Sequence, residues 1–417
     1  MELNESPTQG TLFGKRTILE HCLFWGLIIL AVGIFWFSDR GYYHRAYNLL
    51  IALPAALAAL RHSEKLRPYL SSKLFLLVVG LVLWAAISTC WAEFADTSSR
   101  TDSDFFRYAL APIWLFLATF YLAQVNSRAW LLALHIATAL ATISVLYFII
   151  HYQQLLPDGY WLPPPGGRMV GYHGLYNALL TGHVIGFFLV ASVALALKSN
   201  RFWWLAAFVC AVGVMLTGAR TTMIASALAV AVVLLMLGKQ INWRALMFFS
   251  AACLLLSIMF WDGLFHRGIS VRPQIWYQAW QAIEASPWYG VGWGTPWRLV
   301  VDAVDQPFVD PHNLTLAVWR DLGLPGLVLW LGAWGAGLHL AWKSRHLLLG
   351  LMSLGLLVYG FTASMGEGAS FLSRPKEHWF LVWLPLAITA TLFVPRPSTA
   401  SAHVATVPNP TTSASDS

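Results

Sequence analysis

Apolar runs of about 17–22 residues, parted by short polar breaks, fill most of the chain. At 1.5 Å per residue, a helix of that length matches the hydrocarbon thickness of a bilayer. The pattern predicts about twelve transmembrane helices, near residues 19–37, 46–60, 73–91, 105–124, 129–151, 175–197, 202–218, 221–237, 244–261, 323–342, 347–365 and 378–394. The second run is short and contains Pro54, which predicts a tilt or a kink. Only the tight turn Thr217-Gly218-Ala219-Arg220 joins the seventh and eighth. One polar stretch is large, residues 262–322. Within it Ile275, Trp276, Ala279, Trp280 and Ile283 fall on one helical face, and Pro287 with Gly290, Gly292 and Gly294 ends that helix. The expected organisation is a cytoplasmic N-terminus over 1–18, nine helices over 19–261, a helical loop lying on the membrane over 262–322, three helices over 323–394 and a disordered Ser/Thr/Ala/Pro-rich tail over 395–417.

Composition agrees: 58% of residues are hydrophobic and 11% charged, against about 45–50% and 25% in soluble domains. The reading is an all-α polytopic membrane protein. The net charge of +7 is not a nucleic-acid signal, because it divides by topology. Six of the seven lysines fall in the loops assigned to one side, Lys376 being the exception. Every short loop on that side is basic, which makes it the cytoplasm and puts both termini there. The positive charge of the other side is nearly all arginine, whose planar fork grips phosphate oxygens bidentately. An anionic, phosphate-bearing substrate on the outer face is the expectation. The four cysteines, Cys22, Cys90, Cys210 and Cys253, lie in or at the ends of apolar runs without metal or disulfide spacing.

Three outer positions carry candidate chemistry. Arg220 stands at the end of a span next to almost no loop. It is either a snorkelling arginine or a guanidinium held over the bundle. Arg272 precedes the amphipathic helix, where an anion is already favoured. Otherwise it is an ordinary surface arginine. His312, in Asp310-Pro311-His312-Asn313, opens a further helix. Near Arg220 and Arg272 its pKa should fall, keeping the imidazole neutral as a general base must be. Arg320, two turns along, is a candidate third phosphate contact. Asn313 and Asp321 are secondary candidates. Asp302, Asp305 and Asp310 match no metal motif and read as solvated loop acids. Gly290-Val291-Gly292-Trp293-Gly294 reads as a turn where backbones approach closely.

The turn at Arg220, the segment Arg272…Trp276…Ala279…Ile283…Pro287…Gly290-Val291-Gly292-Trp293-Gly294, and His312-Asn313…Leu316…Asp321…Gly323…Gly326 occur in this order. The set resembles the O-antigen ligase and polymerase superfamily, except that Asp321 stands where members often carry glutamate. The resemblance implies a GT-C-like membrane glycosyltransferase of the bacterial inner membrane with a periplasmic site. Its donor would be a glycan on undecaprenyl pyrophosphate, and a ligase's acceptor a sugar hydroxyl of lipid A-core. It implies no cofactor and no metal ion. On this reading His312 is the base, and Arg220 and Arg272 hold the pyrophosphate. The rivals are a glycan polymerase of the same superfamily and a transporter or flippase. Against the last, the span centres hold almost no ionisable residues and no internal repeat is evident.

Overall fold

The structure, a computed structural model, describes residues 17–93, 102–156, 167–236, 247, 251, 271–300, 308–368 and 370–393. Among them the fold is helical, and the single β feature is an isolated bridge between Leu299 and Phe308. The helices are α1 (Ile18–Val32), α2 (Arg40–Tyr47), α3 (Leu53–Arg61), α4 (Ser63–Leu70), α5 (Lys73–Ser88), α6 (Asp102–Val125), α7 (Ser127–Gln154), α8 (Ala178–Lys198), α9 (Trp203–Thr217), α10 (Arg220–Leu235), α11 (Arg272–Ala285), α12 (Leu314–Lys343), α13 (Leu348–Ser364) and α14 (Trp383–Ala390). Six described segments are long and apolar enough to cross a membrane: Ile18–Phe35, Lys73–Trp91, Arg107–Val125, Ser127–Gln154, Ala178–Lys198 and Leu314–Lys343. Three shorter apolar helices, α9, α10 and α13, pack among them. The expected count of about twelve is therefore not reached among the described residues. The expected ninth span, 244–261, lies outside them except for residue 251 and residue 247, as do Pro163-Pro164-Pro165, Arg267, Asp302, Asp305 and the tail.

Helix α8 organises the bundle. Every residue from Thr181 to Leu195 is buried, as a helix apolar on all sides must be. It packs on α9, α10 and α13. Gly182 brings it against the α9–α10 turn: a Cβ there would meet Thr217 Oγ1 at 3.0 Å and Ala219 Cβ at 3.1 Å. The turn itself closes on Gly218, in the left-handed conformation that ends helices. In the run where Pro54 predicted a tilt or a kink, the backbone forms a π turn over Asn48–Ala52. It closes with Leu53 N–H on Asn48 O, one residue before the proline whose donor is missing.

Helix α12 starts nine residues before the expected span. Asn313 caps it, its side-chain oxygen accepting the Thr315 and Leu316 N–H groups at 3.0 and 3.1 Å. Residue 323, where the span was expected to begin, is a break: Gly323 has φ 63° and ψ −165°. A break with Pro325 behind it frees the carbonyls of Arg320 and Asp321, and buried carbonyls need donors. The glycine turn supplies them, Val291 N–H to Arg320 O and Gly292 N–H to Asp321 O, both at 2.9 Å. Leu324 N–H returns a bond to Pro287 O at 3.0 Å, and Trp84 Nε1–H donates to Leu322 O at 2.8 Å. Helix α11 lies across this region, burying Ile275, Ala279 and Ile283 against α12, while Trp280 of the expected apolar face stays exposed.

A Cβ on Gly323 would stand 2.3 Å from Trp288 O, on a backbone that L-residues avoid. Gly323→Ala should lower stability by about 1–3 kcal/mol from the backbone alone. Thermal melting in detergent reads this; an unchanged midpoint would contradict the packing described.

Candidate functional site

The first residues of α10, the start of α11, the entry to α12 and the segment after α13 meet at one end of the bundle. Arg272, the first residue of α11, donates from Nη1 to Thr221 Oγ1 at 2.9 Å. Thr221 follows Arg220, whose exposed side chain opens α10. Arg272 Nη2 lies 4.0 Å from Glu367 Oε2, and the same oxygen is 4.0 Å from His312 Nδ1. Glu367 Oε1 is 3.9 Å from His378 Nε2. Behind these groups His183 of α8 meets Thr222 Oγ1 at 3.0 Å. Arg272 and His312 are thus brought together, and the bond to Thr221 seats Arg272 beside the Arg220 turn.

His312 has φ 47°, unusual for a residue with a Cβ. The turn folds Asp310 back on it: Asp310 Oδ1 accepts His312 N–H at 2.8 Å and lies 2.9 Å from Nδ1. That Nδ1 contact becomes an ion pair when the imidazole is protonated, and it lacks well-directed hydrogen-bond geometry. Nε2 has no hydrogen-bond partner among the described residues. The expected lowering of the His312 pKa is corrected. The Asp310 carboxylate raises it above the ordinary 6.5, against the effect of burial, and Glu367 adds to the rise. Arg272 pulls the other way but is outweighed. Two carboxylates lie closer to this imidazole in effect than the arginines that were expected to dominate. For Asp310, burial raises the pKa, yet the contacts with His312 bring it below the carboxylate value of 3.8.

The guanidinium of Arg320 is directed into the protein. It donates to Thr295 O at 2.8 Å, Pro296 O at 2.9 Å and Asp321 Oδ1 at 2.9 Å, and stacks over Trp297 at 4.4 Å. Arg320 and Asp321 are both buried, and their pair ties residues 295–297 to α12. Asn313 spends its side chain on the helix cap, and its N–H bonds Gly368 O at 3.1 Å. Sequence reasoning missed Glu367, His378 and Lys376, and took Asp310 for a loop acid. Lys376 acts electrostatically on both Asp310 and Glu367. Two signals were available: an acid between two glycines at the end of an apolar run, and the one lysine on the arginine side. Among the described residues no group of three or more His, Cys, Asp or Glu is arranged to hold a metal ion.

A family profile described as O-Antigen ligase matches residues 205–331, a stretch that holds Arg220, Arg272 and His312. An O-antigen ligase of Pseudomonas aeruginosa PAO1 is 31% identical over 387 residues, covering 90% of this chain and 92% of that protein. The chain belongs to the O-antigen ligase family. Membership makes it an enzyme of lipopolysaccharide biosynthesis, in keeping with its membrane-spanning helices. It disfavours a transporter, and the ligase name is carried by a relative aligned over nearly the whole length.

Within this O-antigen ligase, Arg320→Met would leave Asp321 as a buried carboxylate without its partner, which costs about 3–5 kcal/mol. The expected result is a lower melting temperature with donor binding per folded molecule unchanged. Selective loss of donor binding at unchanged stability would return Arg320 to the phosphate site.

Proposed function

We propose that this ligase moves an O-antigen glycan from undecaprenyl pyrophosphate to a sugar hydroxyl of lipid A-core at the periplasmic face of a bacterial inner membrane. One observation carries the reading. The Arg272–Thr221 bond sets a guanidinium beside the Arg220 turn, and His312 stands across Glu367 from it. The site lies at the helix ends that the positive-inside pattern assigns to the outer side.

The chemistry follows from the groups. A sugar hydroxyl is a weak nucleophile near neutral pH, so a base that removes its proton during attack accelerates the step by about 10²–10⁴. His312 takes that proton on Nε2. Asp310, at Nδ1, holds the ring and stabilises the imidazolium that forms, as a carboxylate does in hydrolase triads. The acceptor oxygen bonds the anomeric carbon as the bond to the diphosphate breaks, and the electron pair leaves on the phosphate oxygen. Arg220 and Arg272 stabilise that growing charge. A single displacement inverts the anomeric centre.

His312→Ala should lower transfer about 10²–10⁴-fold while purified protein still binds the donor. Normal transfer by that variant removes His312 from the mechanism. The base works only when neutral, and its pKa lies above the ordinary 6.5. The rate should therefore rise with pH through a value above 6.5. Asp310→Asn removes the neighbouring anion, so the imidazolium loses support and the rise should move to lower pH. A pH–rate profile unmoved by Asp310→Asn would break the Asp310–His312 assignment. In cells, loss of the gene should leave core without O-chain. Core bearing one repeat unit would indicate a polymerase instead.

A further inference from the structure

The transfer step uses a base and two guanidinium groups and leaves the buried carboxyl of Glu367 without a task. Glu367 is 7% exposed. Its backbone has little freedom: a Cβ on Gly366 would stand 2.5 Å from Thr221 Cγ2, and one on Gly368, at φ 78°, would stand 2.6 Å from His378 Nε2. The carboxyl is therefore held inside the site. Oε2 is buried without a hydrogen-bond partner, 4.0 Å from both Arg272 Nη2 and His312 Nδ1. These separations are long for hydrogen bonds and short enough for strong attraction where water is scarce.

Arg272 already spends Nη1 on Thr221. The carboxylate of Glu367 faces Nη2, the terminal nitrogen that does not bond Thr221. A diphosphate arriving there meets a fixed negative charge in a poorly solvated place. Two anions at such distance repel, and the usual resolution is that one takes a proton. Among the described residues, the groups that face Glu367 are Arg272 from α11, His312 and Asp310 from the entry to α12, and Lys376 and His378 from the segment before α14. Arg220 opens α10 beside Thr221, and His183 of α8 lies behind Thr222.

We propose that Glu367 is the resting counterion of Arg272 and that it takes up one proton from water when the donor's diphosphate claims the guanidinium. The neutral acid then donates to a phosphate oxygen in place of repelling it. The inference rests on the reading of Arg272 as a donor contact. It is physically cheap: burial pushes this carboxyl up to about 7, against the pull of His312, so near neutral pH the proton is gained at little cost. A carboxyl at its ordinary value of 4.5 would have to be protonated far from its own range.

The test is calorimetric titration of the purified full-length protein with a short-chain polyprenyl diphospho-sugar, a diester with no titrating phosphate near neutral pH. Comparing buffers of different ionisation enthalpy counts protons bound per ligand. The native protein should take up a substantial fraction of a proton, and its affinity should fall above neutrality by up to about tenfold per pH unit. Glu367→Gln, a mimic of the protonated acid, should bind with little uptake and a nearly flat pH dependence. Glu367→Asp should restore both. Uptake due to His312 alone would survive the glutamine change and overturn the proposal. So would native protein binding without uptake, a result that needs no variant to fold. Failure of native protein to bind the diester at all would instead remove the donor site itself.

Discussion

The seam between α11 and the bundle depends on how a guanidinium is accommodated at the end of an apolar helix bundle. Arg272 cannot lose its charge, and it stands only a quarter exposed. A hydroxyl from Thr221 and a carboxylate from Glu367 take up its two terminal nitrogens. Thr221 belongs to α10 and Glu367 to the segment after α13, and each is held by close packing at a glycine, Gly182 below the 217–220 turn and Gly366 against Thr221. The position of Arg272 thus fixes where α11 sits, and the same pairing carries His312 to within reach. A cluster of this kind is poor ballast for stability, since buried charges repay their desolvation only when well paired. Its presence at the end of an otherwise apolar bundle speaks for function.

Much of the helical layout could be read from the chain, because length and hydropathy obey the bilayer directly. The entry to α12 was misjudged for a physical reason. Residues 314–322 include Arg320 and Asp321, which read as extramembrane, yet the two neutralise each other and are buried. The Asn313 cap was the better guide to where that helix begins. The convergence of Arg272, the Arg220 turn and His312 was anticipated from ordered motifs. The electrostatics around His312 were not. The left-handed residue that folds Asp310 onto the ring leaves no trace in composition, and Glu367 lies far along the chain, joined to His312 only through tertiary packing.

The break at Gly323 is a case of complete backbone accounting. An interrupted helix inside a membrane protein must find donors for the carbonyls it releases. Here the Gly290–Gly292 turn provides two N–H groups and the indole of Trp84 a third. The glycines are needed because both backbones approach too closely for any side chain: a Cβ on Gly290 would stand 2.5 Å from Asp321 O. The turn expected to bring backbones close together is thereby a structural splice.

The left-handed backbone at His312 has a further implication for which side chains that position suits. Asparagine and glycine accept such a conformation more readily than histidine. Folding alone would therefore favour either of them at this position, so the backbone gives no reason of its own for an imidazole to stand there.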